Sequence, residues 1–143
     1  MSVLDANLGD ACRIPRLDFE LTPGCDHKCA HCYNVWTADE GDAQAGYDTG
    51  GQLRTPAFKA MMSDIVAQSG AQHITITGGE PLLRKDALEI IEHACACVDV
   101  VTLITNGSHV DPETAGRLGR AGVRQVQLTL LAGDPAEHDR LKG

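Results

Sequence analysis

The stretch His73-Ile-Thr-Ile-Thr-Gly-Gly-Glu-Pro81 decides the fold. Ile74 and Ile76 make a buried stripe, and Thr75 and Thr77 face the other way, which is the period-two pattern of a strand. Gly78-Gly79 follow at once. Two glycines at a strand end permit positive φ and close approach of a ligand to the backbone. Pro81 biases Glu80 toward an extended conformation, which gives its carboxylate a defined direction. A plain tight turn between strand and helix accounts for the same residues.

Working outward, Thr55-Pro56 reads as a helix start, with Thr55 as N-cap and proline at the first helical position. Phe58, Met61, Met62 and Ile65 fall at helical spacing, and Gly70 ends the helix. The two methionines read as core. Beyond Pro81, a second helix runs from about Lys85 to Ala96, with Leu88, Ile91 and Cys95 on one face and Ile90 and Ala94 beside it. Val98–Thr105 is nearly continuous in apolar character, as a buried parallel strand is. Asp111-Pro112 opens a third helix, which Gly116 and Gly119 weaken and Gly122 ends. Val123–Leu131 is a fourth strand, with Val126, Leu128 and Leu130 alternating. Asp134-Pro135 begins a further helix that the chain barely enters.

Toward the amino terminus, Arg16-Leu-Asp-Phe-Glu-Leu-Thr22 alternates, with Leu17, Phe19 and Leu21 on one face. The polar set Arg16, Asp18 and Glu20 suits a small or open barrel, one face of which looks into a polar cavity. Residues 1–15 read as a loose leader, with Cys12 a bystander thiol. Val35–Gln52 reads either as a long binding or covering loop pinned by Trp36 and Tyr47, or as a disordered stretch. The order of elements predicts an α/β chain: a partial (β/α) barrel of about four parallel strands with right-handed crossover helices.

The loop after the first strand holds Cys25, Cys29 and Cys32 at spacing Cys-x3-Cys-x2-Cys. Two chemistries suit it. One is a zinc site, completed by His27 or His31. The other is an iron–sulfur cluster, in which three thiolates leave one iron open to a small molecule. A disulfide reading is weak, because three is odd and Met1–Asp10 lacks the basic start and apolar run of a signal peptide. Cys95 and Cys97, two apart on a helix, do not share a face and read as small buried hydrophobes. His73 and His93 read as surface or cap residues.

In parallel α/β sheets, sites lie at the carboxyl ends of strands. The cysteine loop, Gly78-Gly79-Glu80-Pro81 and Leu103-Ile-Thr-Asn-Gly107 each follow a strand, so they converge. Together, in this order, they resemble the radical S-adenosylmethionine (radical SAM) enzymes, from about Arg16 to the last residue. The resemblance implies the amino-terminal part of the radical SAM core over residues 16–143, which leaves residues 1–15 as the leader. It implies that Cys25, Cys29 and Cys32 hold a 4Fe–4S cluster whose fourth iron chelates S-adenosyl-L-methionine. Gly78, Gly79 and Glu80 would receive its α-ammonium, and Thr105 and Asn106 would contact its methionine or ribose part. One electron from the cluster would cleave the sulfonium and release a 5′-deoxyadenosyl radical, which abstracts a substrate hydrogen.

Two positions depart from the family's pattern. His31 stands where an aromatic residue usually packs near adenine, and it can still stack. Thr129-Leu-Leu-Ala132 stands where Ser-x-Asp-Gly is common, which leaves the Thr129 hydroxyl for the ribose. Glu137-His-Asp-Arg-Leu-Lys-Gly143 resembles a run that opens the next helix in many members, with His138 and Asp139 structural. The style of the cysteine loop is similar to the peptide- and protein-modifying branch, so a peptide or small-molecule substrate and an external electron donor are expected. The family's common core has six strand–helix units. A chain with four strands is therefore expected to be an incomplete catalyst that self-associates through its open fourth strand. A non-catalytic iron–sulfur or SAM-binding module and a zinc-stabilised interaction domain are the alternatives.

Composition bounds these readings. The 143 residues are 43% apolar but only 3% aromatic, so the core is expected to be aliphatic. The net charge of −8 disfavours nucleic acid and anionic membranes as partners. No apolar run approaches the ~20 residues of a membrane span. Six cysteines without a secretion signal point to a reducing, cytoplasmic setting.

Overall fold

The computed structural model describes residues 14–32 and 53–143. The leader up to residue 13 and the loop readings at Trp36 and Tyr47 lie outside them. Strands and helices alternate: β1 (Arg16–Glu20), α1 (Thr55–Ser69), β2 (His73–Thr77), α2 (Ala87–Cys97), β3 (Val100–Thr105), α3 (Pro112–Ala121), β4 (Gln125–Leu128) and α4 (Pro135–Lys142). The strands form one parallel sheet in the order β1-β2-β3-β4. This is the expected partial (β/α) barrel.

The register sorts side chains by face. Leu17, Ile74 and Val101 lie side by side, as do Phe19, Ile76, Leu103 and Val126. Apart from the exposed Val126, this apolar face packs with Phe58, Met62, Ile90, Ile91 and Leu118 of the helices into one core. Each such side chain, fully buried, contributes roughly 1.5–3 kcal/mol. The opposite face carries the polar row Asp18, Thr75, Thr102 and Gln125, with the two threonines buried and Asp18 and Gln125 exposed. His73, read as a surface or cap residue, instead meets the Thr102 hydroxyl at 2.9 Å across β2 and β3.

Several local expectations are corrected. Thr55 is not the N-cap of α1: Arg54 is, without a side-chain cap bond. The Thr55 hydroxyl instead donates to Asp86 at the start of α2. Arg84 completes this junction. Its buried guanidinium donates to Asp86, to the Leu21 carbonyl at 3.0 Å and to the Leu53 carbonyl at 2.7 Å. It also lies 5.3 Å from the Phe58 ring centre. Arg84 holds the Asp86 carboxyl below the usual carboxylate range. The end of β1, the start of α1 and the start of α2 are thus fastened by one cation.

A 3-10 turn, Pro81–Leu83, precedes α2, which begins at Ala87 rather than Lys85. Its buried stripe is Ala87, Ile90, Ile91 and Ala94, with Leu88 and Cys95 half-buried at the margin. Ile65 of α1 is exposed, and Met62 rather than Met61 is fully buried. His93 is no cap residue. Its Nε2 is 3.0 Å from the Lys59 carbonyl and 2.8 Å from the Ser63 hydroxyl, so it ties α2 to α1. Asp111 and Asp134 cap α3 and α4 through Thr114 N and Glu137 N. α4 runs for eight residues, more than the brief start expected.

β3 starts at Val100, after an extended Val98, and β4 spans only Gln125–Leu128 rather than Val123–Leu131. β4 is an edge of the described sheet. Val126, Leu128 and Leu130 are exposed, Leu130 by 80%.

Candidate active site

The cysteine loop leaves β1 by extending its pairing one residue, Leu21 N to the Thr77 carbonyl at 2.9 Å. It then lies along the turn that follows β2. Gly79 N donates to the Thr22 carbonyl and Glu80 N to the Gly24 carbonyl, both at 2.8 Å. A Cβ on Gly79 would sit 2.2 Å from the Gly24 oxygen, and one on Gly78, whose φ is +142°, 2.5 Å from the Thr22 oxygen. The glycines were read as making room for a ligand. In the structure the close approach belongs to the loop's own backbone. Gly79→Ala should therefore cost at least about 2 kcal/mol, since backbone meets backbone and neither side can rotate away. A urea-unfolding midpoint equal to the parent's would refute this.

Glu80 is fully buried where the three strand-end segments meet. Its Oε1 accepts from Leu82 N at 3.0 Å, and its Oε2 accepts from Asn106 N at 2.7 Å. The Thr105 hydroxyl lies within 2.9 Å of both oxygens. Among the described residues no cation pairs with this carboxylate. The Thr105 oxygen in turn accepts from Gly107 N at 3.1 Å.

Asn106 joins this centre to the cysteine loop. Its Nδ2 donates to Asp26 Oδ1 at 2.7 Å and lies 4.0 Å from Cys25 Sγ. Burial works to raise the Asp26 pKa, but hydrogen bonds from Ser108 and Asn106 prevail and hold it below the usual carboxylate range. Burial pushes the Cys25 thiol up, so a metal binding there displaces a proton that is held firmly.

α4 braces the same loop from the far side. The Leu141 carbonyl accepts from Ala30 N at 3.0 Å, and the buried Lys142 donates to the Asn106 carbonyl at 2.8 Å. His138 Nδ1 accepts from Leu131 N at 3.2 Å, in keeping with a structural role.

Cys25, Gly78, Gly79, Glu80, Thr105 and Asn106 are thus brought together. Cys29 and Cys32 close the loop's last turn, Cys32 N to the Cys29 carbonyl at 3.0 Å. His31 and Thr129 are exposed, and among the described residues no hydrogen bond ties either to this centre. Asp26, Ser108, His109, Arg84 and Lys142 are contributors that the sequence reading missed. An aspartate between two ligand-spaced cysteines was the one available signal.

Among the described residues, no three Cys, His, Asp or Glu side chains come close enough to grip one metal ion. A zinc site needs four such side chains around one ion. A cubane takes each thiolate on a separate iron and suits a looser triad of soft sulfurs.

The fold and the strand-end site define a (β/α)-barrel protein of the radical SAM class. Residues 19–143 match the family model described as Radical SAM superfamily, and the chain belongs to that superfamily of enzymes. It is similar to an AdoMet-dependent heme synthase of Methanosarcina barkeri (33% identity, covering 90% of this chain and 35% of that protein). A PqqA peptide cyclase of Rhodopseudomonas palustris is 30% identical over 87% of this chain and 30% of its own length. The mycofactocin maturase MftC of Mycobacterium tuberculosis is 29% identical over 89% of this chain and 30% of its own length. The chain spans about a third of the length of these curated relatives. Among solved structures, BtrN in complex with AdoMet and 2-DOIA shares the fold, with a TM-score of 0.64 at 20% identity over 84% of this chain and 47% of that one.

Proposed function

We propose that this chain is the cofactor-binding part of a radical SAM enzyme, with a 4Fe–4S cluster on Cys25, Cys29 and Cys32 and S-adenosyl-L-methionine across the strand ends. One observation supports this most: Glu80 is a fully buried carboxylate with donors on it and no cation beside it among the described residues. A buried charge is stable when a countercharge meets it, and an α-ammonium is such a charge. When bound, the cluster would supply one-electron reduction of the sulfonium, which would break its S–C5′ bond into methionine and a 5′-deoxyadenosyl radical able to abstract a hydrogen. The protein's part is orientation. Glu80, Thr105 and Asn106 fix the floor, and Gly78 and Gly79 bring their backbone to it. The exposed His31 and Thr129 are available to adenine and ribose.

The names of the peptide cyclase and the maturase support a peptide substrate, and such a reaction needs an external electron donor. Among the described residues no helix is long and apolar enough to cross a membrane. A reducing, cytoplasmic setting suits the thiolates.

Anaerobic reconstitution with iron and sulfide, then reduction in the presence of SAM, tests the reading. Absorption near ~400 nm, as expected of thiolate-bound iron–sulfur centres, and 5′-deoxyadenosine release support it. Reconstitution that leaves the protein colourless sinks it. The chain should self-associate through β4, where Val126 and Leu128 face solvent along an edge that no other described strand pairs. Sedimentation checks this; a clean monomer at high concentration would contradict it.

A further inference from the structure

We propose that Asp26 is a positioning residue: it docks the cysteine loop onto the turn that follows β3 and, through Asn106, holds an amide N–H against the Cys25 sulfur. The docking half stands on the protein alone. The sulfur half rests on the reading of Cys25 as a cluster ligand.

Asp26 directly follows the first cysteine of the loop. Its two oxygens gather three side-chain groups from one short turn: Asn106 Nδ2 at 2.7 Å on Oδ1, and Ser108 Oγ at 2.8 Å and His109 Nε2 at 3.0 Å on Oδ2, the single Ser108 hydroxyl hydrogen being shared with Asn106 Oδ1 at 2.7 Å. These partners are 80 or more residues away in sequence, so the contacts join two separate strand ends. Bonds to an ionised oxygen are the stronger kind. The residue type follows from the count. Three donors on two oxygens need an acceptor with spare lone pairs and no hydrogens of its own, which an ionised carboxylate is and an amide is not.

Asn106 is held at each of its polar groups. Its N–H goes to Glu80, its carbonyl accepts from Lys142, and its Oδ1 accepts from Ser108 N at 2.8 Å. Ser108 N can only donate, so Oδ1 must face it and Nδ2 must face Asp26. That choice leaves the second Nδ2 hydrogen beside Cys25 Sγ, 4.0 Å from the nitrogen. Hydrogen bonds to a ligating sulfur move the potential of an iron–sulfur centre. A residue that fixes this amide therefore acts on the sulfur without touching it.

Two measurements on the whole chain test the two halves. In the metal-free protein, Asp26→Ala should speed amide hydrogen exchange in residues 25–32 and 106–109 by roughly tenfold or more, and leave β2 and β3 unchanged. Unaltered exchange in both segments overturns the docking. In the reconstituted protein, the reduction potential is compared among the parent, Asp26→Ala, Asn106→Ala and the double variant. Loss of the carboxylate raises the potential in any background, and loss of the N–H lowers it. If Asp26 works through Asn106, the rise caused by Asp26→Ala is smaller with Asn106 present than with alanine there. Equal rises in the two backgrounds overturn the link. A parent chain that takes up no cluster overturns the sulfur half together with the reading of Cys25, while the exchange result decides the docking by itself.

Discussion

Cys25→Ala, Cys29→Ala and Cys32→Ala should each leave the reconstituted chain without its 4Fe–4S cluster, whereas Cys95→Ala and Cys97→Ala should retain it. The contrast follows from geometry. The three loop thiols lie on one short segment at the strand ends, with Cys25 beside Asn106. Cys95 and Cys97 lie on α2, where Cys95 packs against the core and Cys97 sits 3.5 Å from His93 Nε2. A cubane that has lost one of three protein sulfurs has two irons without a protein ligand, and loses the chelate that holds it. Iron and sulfide content after desalting is the measurement. A full complement in Cys29→Ala would remove that residue from the ligand set. Cys97→Ala without iron would mean that the α1–α2 junction matters to the site in a way that its position does not suggest.

Much of the fold was legible because its signals are local. Ile74 and Ile76 alternate, Asp111-Pro112 and Asp134-Pro135 announce helix starts, and Gly70 and Gly122 take the left-handed conformation that ends α1 and α3. These features depend on neighbours in sequence, and the structure keeps them. Thr55 shows where such reasoning stops. Its position suits an N-cap, but the charged Asp86 across the junction is the better partner for its hydroxyl. Asp86 lies 31 residues away, and no periodicity reveals that. β4 was drawn too long because the alternation from Val126 to Leu130 continues past the end of its pairing with β3.

The site divides in the same manner. Spacing singles out Cys25, Cys29 and Cys32, and the strand-end rule anticipates that Cys25 and Glu80 both meet Asn106. Asp26, Ser108, His109 and Lys142 enter only through contacts across the sheet's end, which no short motif encodes. The two glycines were legible as a close approach, but the approaching partner was not. It is the backbone of the cysteine loop itself, so the residues assigned to a ligand also set the position of that loop.

Glu80→Ala should destabilise the chain by about 3–5 kcal/mol, a large share of the stability of a domain this size. Alanine would strip the acceptor from Leu82 N, Asn106 N and the Thr105 hydroxyl at once, in a place with no solvent exposure. The turn into α2 and the end of β3 would both loosen, because each is fastened to the other through this carboxylate. Loss of SAM binding in this variant would therefore not distinguish a ligand from a fastener. Glu80→Gln does. It keeps the shape and one acceptor, but turns an NH2 toward a donor, at a cost of about 1–3 kcal/mol. It also removes the negative charge that the α-ammonium is proposed to meet. Urea unfolding orders the three proteins, and SAM affinity is then compared between parent and Glu80→Gln in conditions where both are folded. The expected result is a folded Gln variant with its cluster and at least tenfold weaker SAM binding, since a charge-assisted contact is worth about 1.5–3 kcal/mol. Alanine within 0.5 kcal/mol of the parent, about the scatter of surface changes, would dissolve the fastener. Equal SAM affinity in the Gln variant would leave Glu80 a purely structural residue and move the search for the ammonium's partner to the backbone of Gly78 and Gly79.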